Sequence, residues 1–128
     1  MARRFTTSAL FACQNVVCQG DNHKINYYTN NTRVAYINCV VKDDDTIHIC
    51  DIVHDNTKAI DKGIGTEMMN ALIEYARNNN YSEITGDLSV VDADHKERLH
   101  HFYRKFGFEI TVFDTIKNNY YGCIAMKL

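Results

Sequence analysis

The sequence predicts an α/β fold: a mixed, mainly antiparallel sheet with a β-α-β crossover at its centre. Three observations predict it. Between Lys24 and His54 lie three stretches rich in Val, Ile and Tyr, joined by short polar turns, the pattern of an antiparallel meander. From Ile64 the apolar spacing then changes to four, the period of a helix. A short strand and a second helix follow, so a strand-helix-strand unit implies one parallel pairing with a right-handed crossover.

In chain order, Thr7 or Ser8 is expected to cap a short helix running to about Cys18, and Gly20-Asp21-Asn22 to form a turn. Lys24 to Thr29, Arg33 to Lys42 and Thr46 to His54 are the three meander strands. Asn30-Asn31 and Asp43-Asp44-Asp45 turn the chain between them. In the third strand Ile47 and Ile49 alternate regularly, whereas Ile52 and Val53 do not. Ile64, Met68, Leu72 and Ala76, widened by Met69 and Ile73, form the buried stripe of a helix from about Gly63 to Asn78-Asn79-Asn80. Ile84 to Leu88 is a short strand. Asp94 and Glu97 have capping-box spacing and predict a second helix. Leu99, Phe102, Tyr103 and Phe106 supply its buried face, and Gly107 stops it. Phe108 to Phe113 and Tyr120 to Met126 are the last strands. Residues 1–128 read as one domain, with no linker, repeat or proline.

Composition narrows the function. Hydrophobic residues make up 45% and charged residues 23% of the 128, ordinary for a globular protein. The net charge of -2 lacks the basic excess of a nucleic-acid binder, and the apolar runs are too short to span a bilayer. Arg3-Arg4 before Ala9–Cys13 faintly suggests a leader, but the apolar run is short and Gln14-Asn15 ends it. The five cysteines include no C-x-x-C pair, so free thiols, no metal and a cytoplasmic location are expected.

Lys62-Gly63-Ile64-Gly65-Thr66 lies between a strand and a helix. The first-turn N–H groups of a helix have no partners within it, and they point outward with the positive end of the helix dipole. Two glycines let a ligand approach them closely, so the turn can bind a phosphate. It can equally be an ordinary glycine-containing turn, since the fuller nucleotide-binding signatures are absent.

The order of motifs is more specific. The Gly63-Ile64-Gly65 turn opens a helix, and Tyr103-Arg104-Lys105-Phe106-Gly107-Phe108 closes the next one into a strand. This combination resembles the GNAT superfamily of N-acetyltransferases. Gly86-Asp87-Leu88-Ser89, Arg98 and Phe102-Tyr103 are similar to its small bacterial and prophage-type members. The resemblance covers roughly residues 46–128. It implies splayed central strands that hold acetyl-CoA, with the pyrophosphate on the amides of Lys62, Gly63, Ile64, Gly65 and Thr66. It also implies a pantetheine arm paired with Ile52, Val53 and His54, and a Tyr103 hydroxyl that protonates the departing thiolate.

The chain departs from the family pattern in four places. Ile60 stands where a Gln or Arg is usual, with Lys58 or Lys62 as replacement contacts. Lys96 occupies the position of an asparagine. The loop between Val53 and Gly63 is long. The N-terminal part is too short for the usual pair of acceptor-covering helices.

Asp51, His54 and Asp87 are candidates to take the proton from an amine acceptor, directly or through water. Arg98, Arg104 and Lys105, with His100 and His101, either meet the 3′-phosphate of CoA or form a solvated basic face. The expected reaction is direct attack by a small-molecule or peptide amine in a ternary complex, on a monomer or homodimer. Ile60 and the short N-terminus leave a second reading, an acyl-CoA-binding GNAT-fold protein with little or no catalytic activity. A third is a partner-binding domain whose glycine turn holds a different phosphate.

Overall fold

The structure, a computed structural model, describes residues 2–6, 12–55 and 63–128. Its eight strands form one sheet: β1 (Ala2–Thr6), β2 (Ala12–Gln19), β3 (Asn22–Thr29), β4 (Thr32–Lys42), β5 (Thr46–His54), β6 (Glu83–Ser89), β7 (Glu109–Lys117) and β8 (Tyr120–Lys127). Their order is β1-β2-β3-β4-β5-β6-β8-β7. Among the described residues only β5 and β6 pair in parallel. Helix α1 (Ile64–Asn78) makes the crossover between them, and α2 (Lys96–Phe106) joins β6 to β7. The predicted mixed, mainly antiparallel sheet with its central β-α-β unit is the observed one.

Three hairpin turns are built without glycine. Asn30-Asn31, Asp43-Asp44 and Asn118-Asn119 all sit at positive φ, between 51° and 69°. Two successive left-handed residues match the twist of the flanking strands, and Asn and Asp tolerate that region better than other residues with a side chain. The polar pairs visible in the sequence therefore set the register of the β3–β4, β4–β5 and β7–β8 hairpins.

Both helices pack on one side of the sheet. Ile64, Met68, Met69, Leu72, Ile73 and Ala76 of α1 are buried, as the four-residue spacing predicts. They meet Ile25, Ile37, Ile47, Ile84, Ile124 and Met126, which alternate along their strands and share that side. At Gly122 a Cβ would collide with the Thr111 carbonyl oxygen and crowd Leu88, so β7 and β8 approach closely only with glycine there.

Two local expectations are overturned. Ala12 to Gln19 is strand, not the end of a helix, and pairs with β3 along its whole length; residues 7–11 lie outside the described ones. The tight turn at Gly20-Asp21 favours a hairpin, and β3 supplies hydrogen bonds that local propensity cannot reveal. Asp94 does not cap α2. A 3₁₀ turn over Val90–His95 comes first, capped by Ser89, whose side chain accepts from the Val91 N–H, and α2 begins after His95. The Gly107 stop holds, with the glycine left-handed at φ 98°.

Candidate active site

The irregularity at Ile52-Val53 is a β-bulge. Asn38 lies opposite Asp51 and Cys39 opposite Ile49, so Cys50 is an extra residue. Before it, Ile47 and Ile49 face the helices; after it, Ile52 and His54 do, opposite buried Ile37 and Ala35. Asp51 therefore points to the other side of the sheet, beside Asn38.

The bulge coincides with the parting of the two central strands. The β5–β6 ladder runs from Thr46↔Glu83 to Ile49↔Gly86 and stops, although β5 continues to His54 and β6 to Ser89. Past that point the two strands no longer pair, which opens a gap at their C-terminal ends. Helix α1 starts at the same end, because it must run back to reach the beginning of β6.

Gly63 occupies the N-cap of α1 in a left-handed conformation, φ 75°, and no side chain among the described residues caps the helix start. A residue with Cβ would be strained there. Ile64 is buried in the core, so only its backbone is available to a ligand. At Gly65 a Cβ would meet the Phe102 ring at 3.4 Å, an ordinary contact, which places α2 directly beside this turn. Lys105 donates to the Thr66 hydroxyl at 2.7 Å and brings its charge to the same turn. Arg98 is exposed on the first turn of α2. It lies seven residues from Lys105, roughly 10 Å along the helix axis. Lys58, Ile60 and Lys62 lie outside the described residues.

Tyr103 is buried at 6% exposure, its ring edge-on to Phe102 and Phe108. Its hydroxyl has no hydrogen-bond partner among the described residues. Burial, with Asp92 and Tyr121 nearby, pushes its pKa up to about 12, so it holds its proton at neutral pH.

The candidate bases do not converge. Asp51 is exposed on the side away from the helices and has no partner among the described residues. Asp87, the first β6 residue past the last β5–β6 pair, shares that side and bonds to His48 Nε2 at 3.0 Å. His48 Nδ1 meets the Thr85 hydroxyl at 2.7 Å, so this imidazole ties β5 to β6 just before they part. Sequence reasoning missed His48, because its role rests on a parallel register no local pattern encodes. His54 is half-buried on the helix side, where burial lowers its pKa and keeps the ring neutral. His100 leaves the basic face altogether: it is 8% exposed, stacked on Tyr121, with Nε2 and the Tyr121 hydroxyl 3.0 Å apart. Among the described residues no cluster of His, Cys, Asp and Glu could hold a metal ion, and no helix is long and apolar enough to cross a membrane.

A family model for the GNAT acetyltransferases matches residues 5–108, and the chain belongs to that family. Similar solved structures include a GNAT acetyltransferase from Elizabethkingia anophelis with acetyl-CoA bound. Its TM-score is 0.69 at 19% identity, covering 84% of this chain and 77% of that one. The PaiA N-acetyltransferase of Thermoplasma acidophilum, in complex with coenzyme A, gives 0.68 at 13% identity over 84% and 62% of the two chains. An IAA acetyltransferase from Bacillus cereus gives 0.67 at 18% identity over 84% and 79%. These likenesses are of fold. In sequence the chain is 38% identical over 69 residues to the uncharacterized protein YocC of Bacillus subtilis. That match takes in 54% of this chain and 39% of the relative's length.

Proposed function

We propose that the protein is an acetyl-CoA-dependent N-acetyltransferase that transfers the acetyl group to an amine by direct attack in a ternary complex. One observation carries the reading: β5 and β6 stop pairing at Ile49 and Gly86, at the end of the sheet where α1 begins on a glycine N-cap with no capping side chain among the described residues. The group fits this site chemically. The first-turn amides of α1 and the Lys105 ammonium suit a pyrophosphate. Ile52, Val53 and His54 pair with β4 but not with β6, so the β6-facing edge of this stretch has backbone groups to offer an extended pantetheine arm. When bound, acetyl-CoA supplies an activated acyl thioester.

The protein's own groups have distinct tasks. The Tyr103 hydroxyl keeps its proton at neutral pH and can give it to the departing thiolate sulfur. Asp51 and Asp87 stand on the opposite side of the sheet, where an incoming ammonium can lose a proton to carboxylate or water. The His48 hydrogen bond orients the Asp87 carboxylate. A cytoplasmic setting fits the free thiols of Cys18, Cys39, Cys50 and Cys123.

Calorimetry with CoA, followed by thiol release from acetyl-CoA over a panel of amines, tests the reading. Binding with amine-dependent thiol release is the expected result. Binding without turnover on any amine would favour an acyl-CoA-binding protein, and no binding would sink the assignment.

A further inference from the structure

The side of the sheet away from the helices carries a built cleft of about 680 Å³, lined among others by Lys24, Asn26, Tyr28, Asn38, Cys50 and Asp51. Its floor is one cross-strand row. Lys24 on β3 lies opposite Asn38 on β4, and Asn38 opposite Asp51 on β5. The row thus reads cation, amide, carboxylate, and its carboxylate end is at the parting of β5 and β6.

None of these three side chains has a hydrogen bond or ion pair among the described residues. The Lys24 ammonium lies over the Tyr36 ring, 4.8 Å from its centre, which draws it across the sheet. The neighbouring cation is already matched: Arg33 binds Asp55 through Nε at 3.0 Å and Nη2 at 3.3 Å. The cleft therefore keeps one uncompensated positive charge at its far end and one uncompensated negative charge at the gap. Beneath its wall lies a buried polar side chain. Asn26 is 4% exposed; its amide donates to Asn15 at 3.1 Å, but its own Oδ1 is buried without a partner. Such an acceptor is costly unless a donor meets it.

We propose that this open face binds the acceptor as a zwitterion: a primary amine joined through a short amide-containing spacer to an anionic group, the chemistry of a di- or tripeptide with free ends. Asp51 receives the ammonium beside the gap, Asn38 meets the spacer's polar groups, and Lys24 holds the anion. Adjacent strands lie about 4.8 Å apart, so the backbones of Lys24 and Asp51 are separated by roughly 10 Å, and a molecule of that span can meet both charges. The assignment rests on the acyltransferase reading, which puts the acetyl group on the other side of the same gap. No described helix covers this face, so a peptide-sized molecule has direct access to it.

The test measures binding apart from turnover. Triglycine, triglycinamide and aminopropyl phosphate are titrated by calorimetry into the CoA-saturated protein, the Lys24→Ala variant and the Lys24→Glu variant. Triglycine should bind about tenfold tighter than its amide, the scale of one charge pair near a protein surface. Lys24→Ala should abolish the difference and Lys24→Glu should reverse it. Aminopropyl phosphate binding better than triglycine would identify the anion as phosphate and keep the zwitterion. Equal affinities for triglycine and triglycinamide, a preference that survives Lys24→Ala, or no binding of any probe would overturn the proposal. If the protein fails to bind CoA, the same titrations are run without it. Lys24-dependent binding there would keep the anion site while the acyltransferase reading falls.

Discussion

The two sides of this one sheet are built on opposite terms. On the helix side, Ile25, Ile37, Ile47, Met68, Leu72 and Ile84 are fully buried and interlocked. On the other side, the row Lys24-Asn38-Asp51 carries charges and an amide with no hydrogen-bond or ion-pair partner among the described residues. The first arrangement supplies stability; the second supplies polar groups already in position for something else. The bulge at Cys50 lets one strand serve both, because it shifts Asp51 to the open side while returning Ile52 to the core side. The proposed chemistry falls at the gap between β5 and β6, where the two sides meet.

Tyr103 sits on the buried side of the sheet yet has a chemical task in the proposed function, so its substitution has the largest expected effect. Tyr103→Phe keeps the ring against Phe102 and Phe108 and removes only a hydroxyl that has no partner among the described residues. Turnover should fall by about 10²–10⁴-fold, in kcat more than in KM, while CoA affinity stays. A second readout separates this from structural damage. The folded pKa of about 12 lies above the ordinary tyrosine value, so the folded state holds this proton more tightly than the unfolded chain. That contribution to stability is complete below about pH 10 and is lost as the pH rises toward 12. Denaturation of the Phe variant should lose that part of the alkaline decline. Full kcat in the variant, measured where chemistry limits the rate, would remove Tyr103 from the mechanism.

The next effect contrasts the two sides in stability. Leu72→Ala empties a fully buried position on α1 and should cost about 2–5 kcal/mol in urea denaturation. Asp51→Asn on the open face should stay within about 0.5 kcal/mol, since nothing in the fold holds that carboxylate. If Asp51→Asn proved as destabilising as Leu72→Ala, the open face would be structural and its role in binding an acceptor would be lost.

The helix side was the more legible in the sequence, for a physical reason. Core packing leaves a period: four-residue spacing along α1 and alternation along β5, both readable from one segment. Turn chemistry is equally local, and Asn30-Asn31 and Asp43-Asp44 marked their hairpins correctly. Features that arise between distant segments left no such trace. The sequence around Ala12–Gln19 has no clean period, so its strand shows only through pairing with β3. Asp94 and Glu97 have the right spacing for a cap, but Asp94 lies in a 3₁₀ turn begun by Ser89 and Glu97 already belongs to the first turn of α2. The glycine turn and Tyr103 were visible through their order along the chain. The His48–Asp87 contact and the Lys24-Asn38-Asp51 row were not, because each depends on register across strands.

The smallest expected effect tests whether buried histidines belong to the stability side. His100 and His23 both have pKa values lowered mainly by burial. His100 stacks on Tyr121, and Arg104 and Lys96 further disfavour its charge. His23 Nδ1 lies 3.0 Å from the Tyr75 hydroxyl and 3.7 Å from Cys18 Sγ, with Tyr81 edge-on to the ring and Asp21 opposing the shift. Each ring is therefore neutral in the folded protein at a pH where the unfolded chain already takes up a proton. Stability from these groups is complete above about pH 6.5, the ordinary histidine value, and is lost as the pH falls through the lowered folded values. His100→Phe keeps an aromatic ring beside Tyr121 and removes the titrating nitrogen. Urea midpoints measured between pH 7.5 and 5 should fall for the parent protein and fall less steeply for the variant. Its stability at the upper pH should drop modestly, by about 1 kcal/mol for the lost hydrogen bond. An identical acid slope in parent and variant would show that His100 does not resist protonation, and that burial on the helix side is looser there than the packing implies.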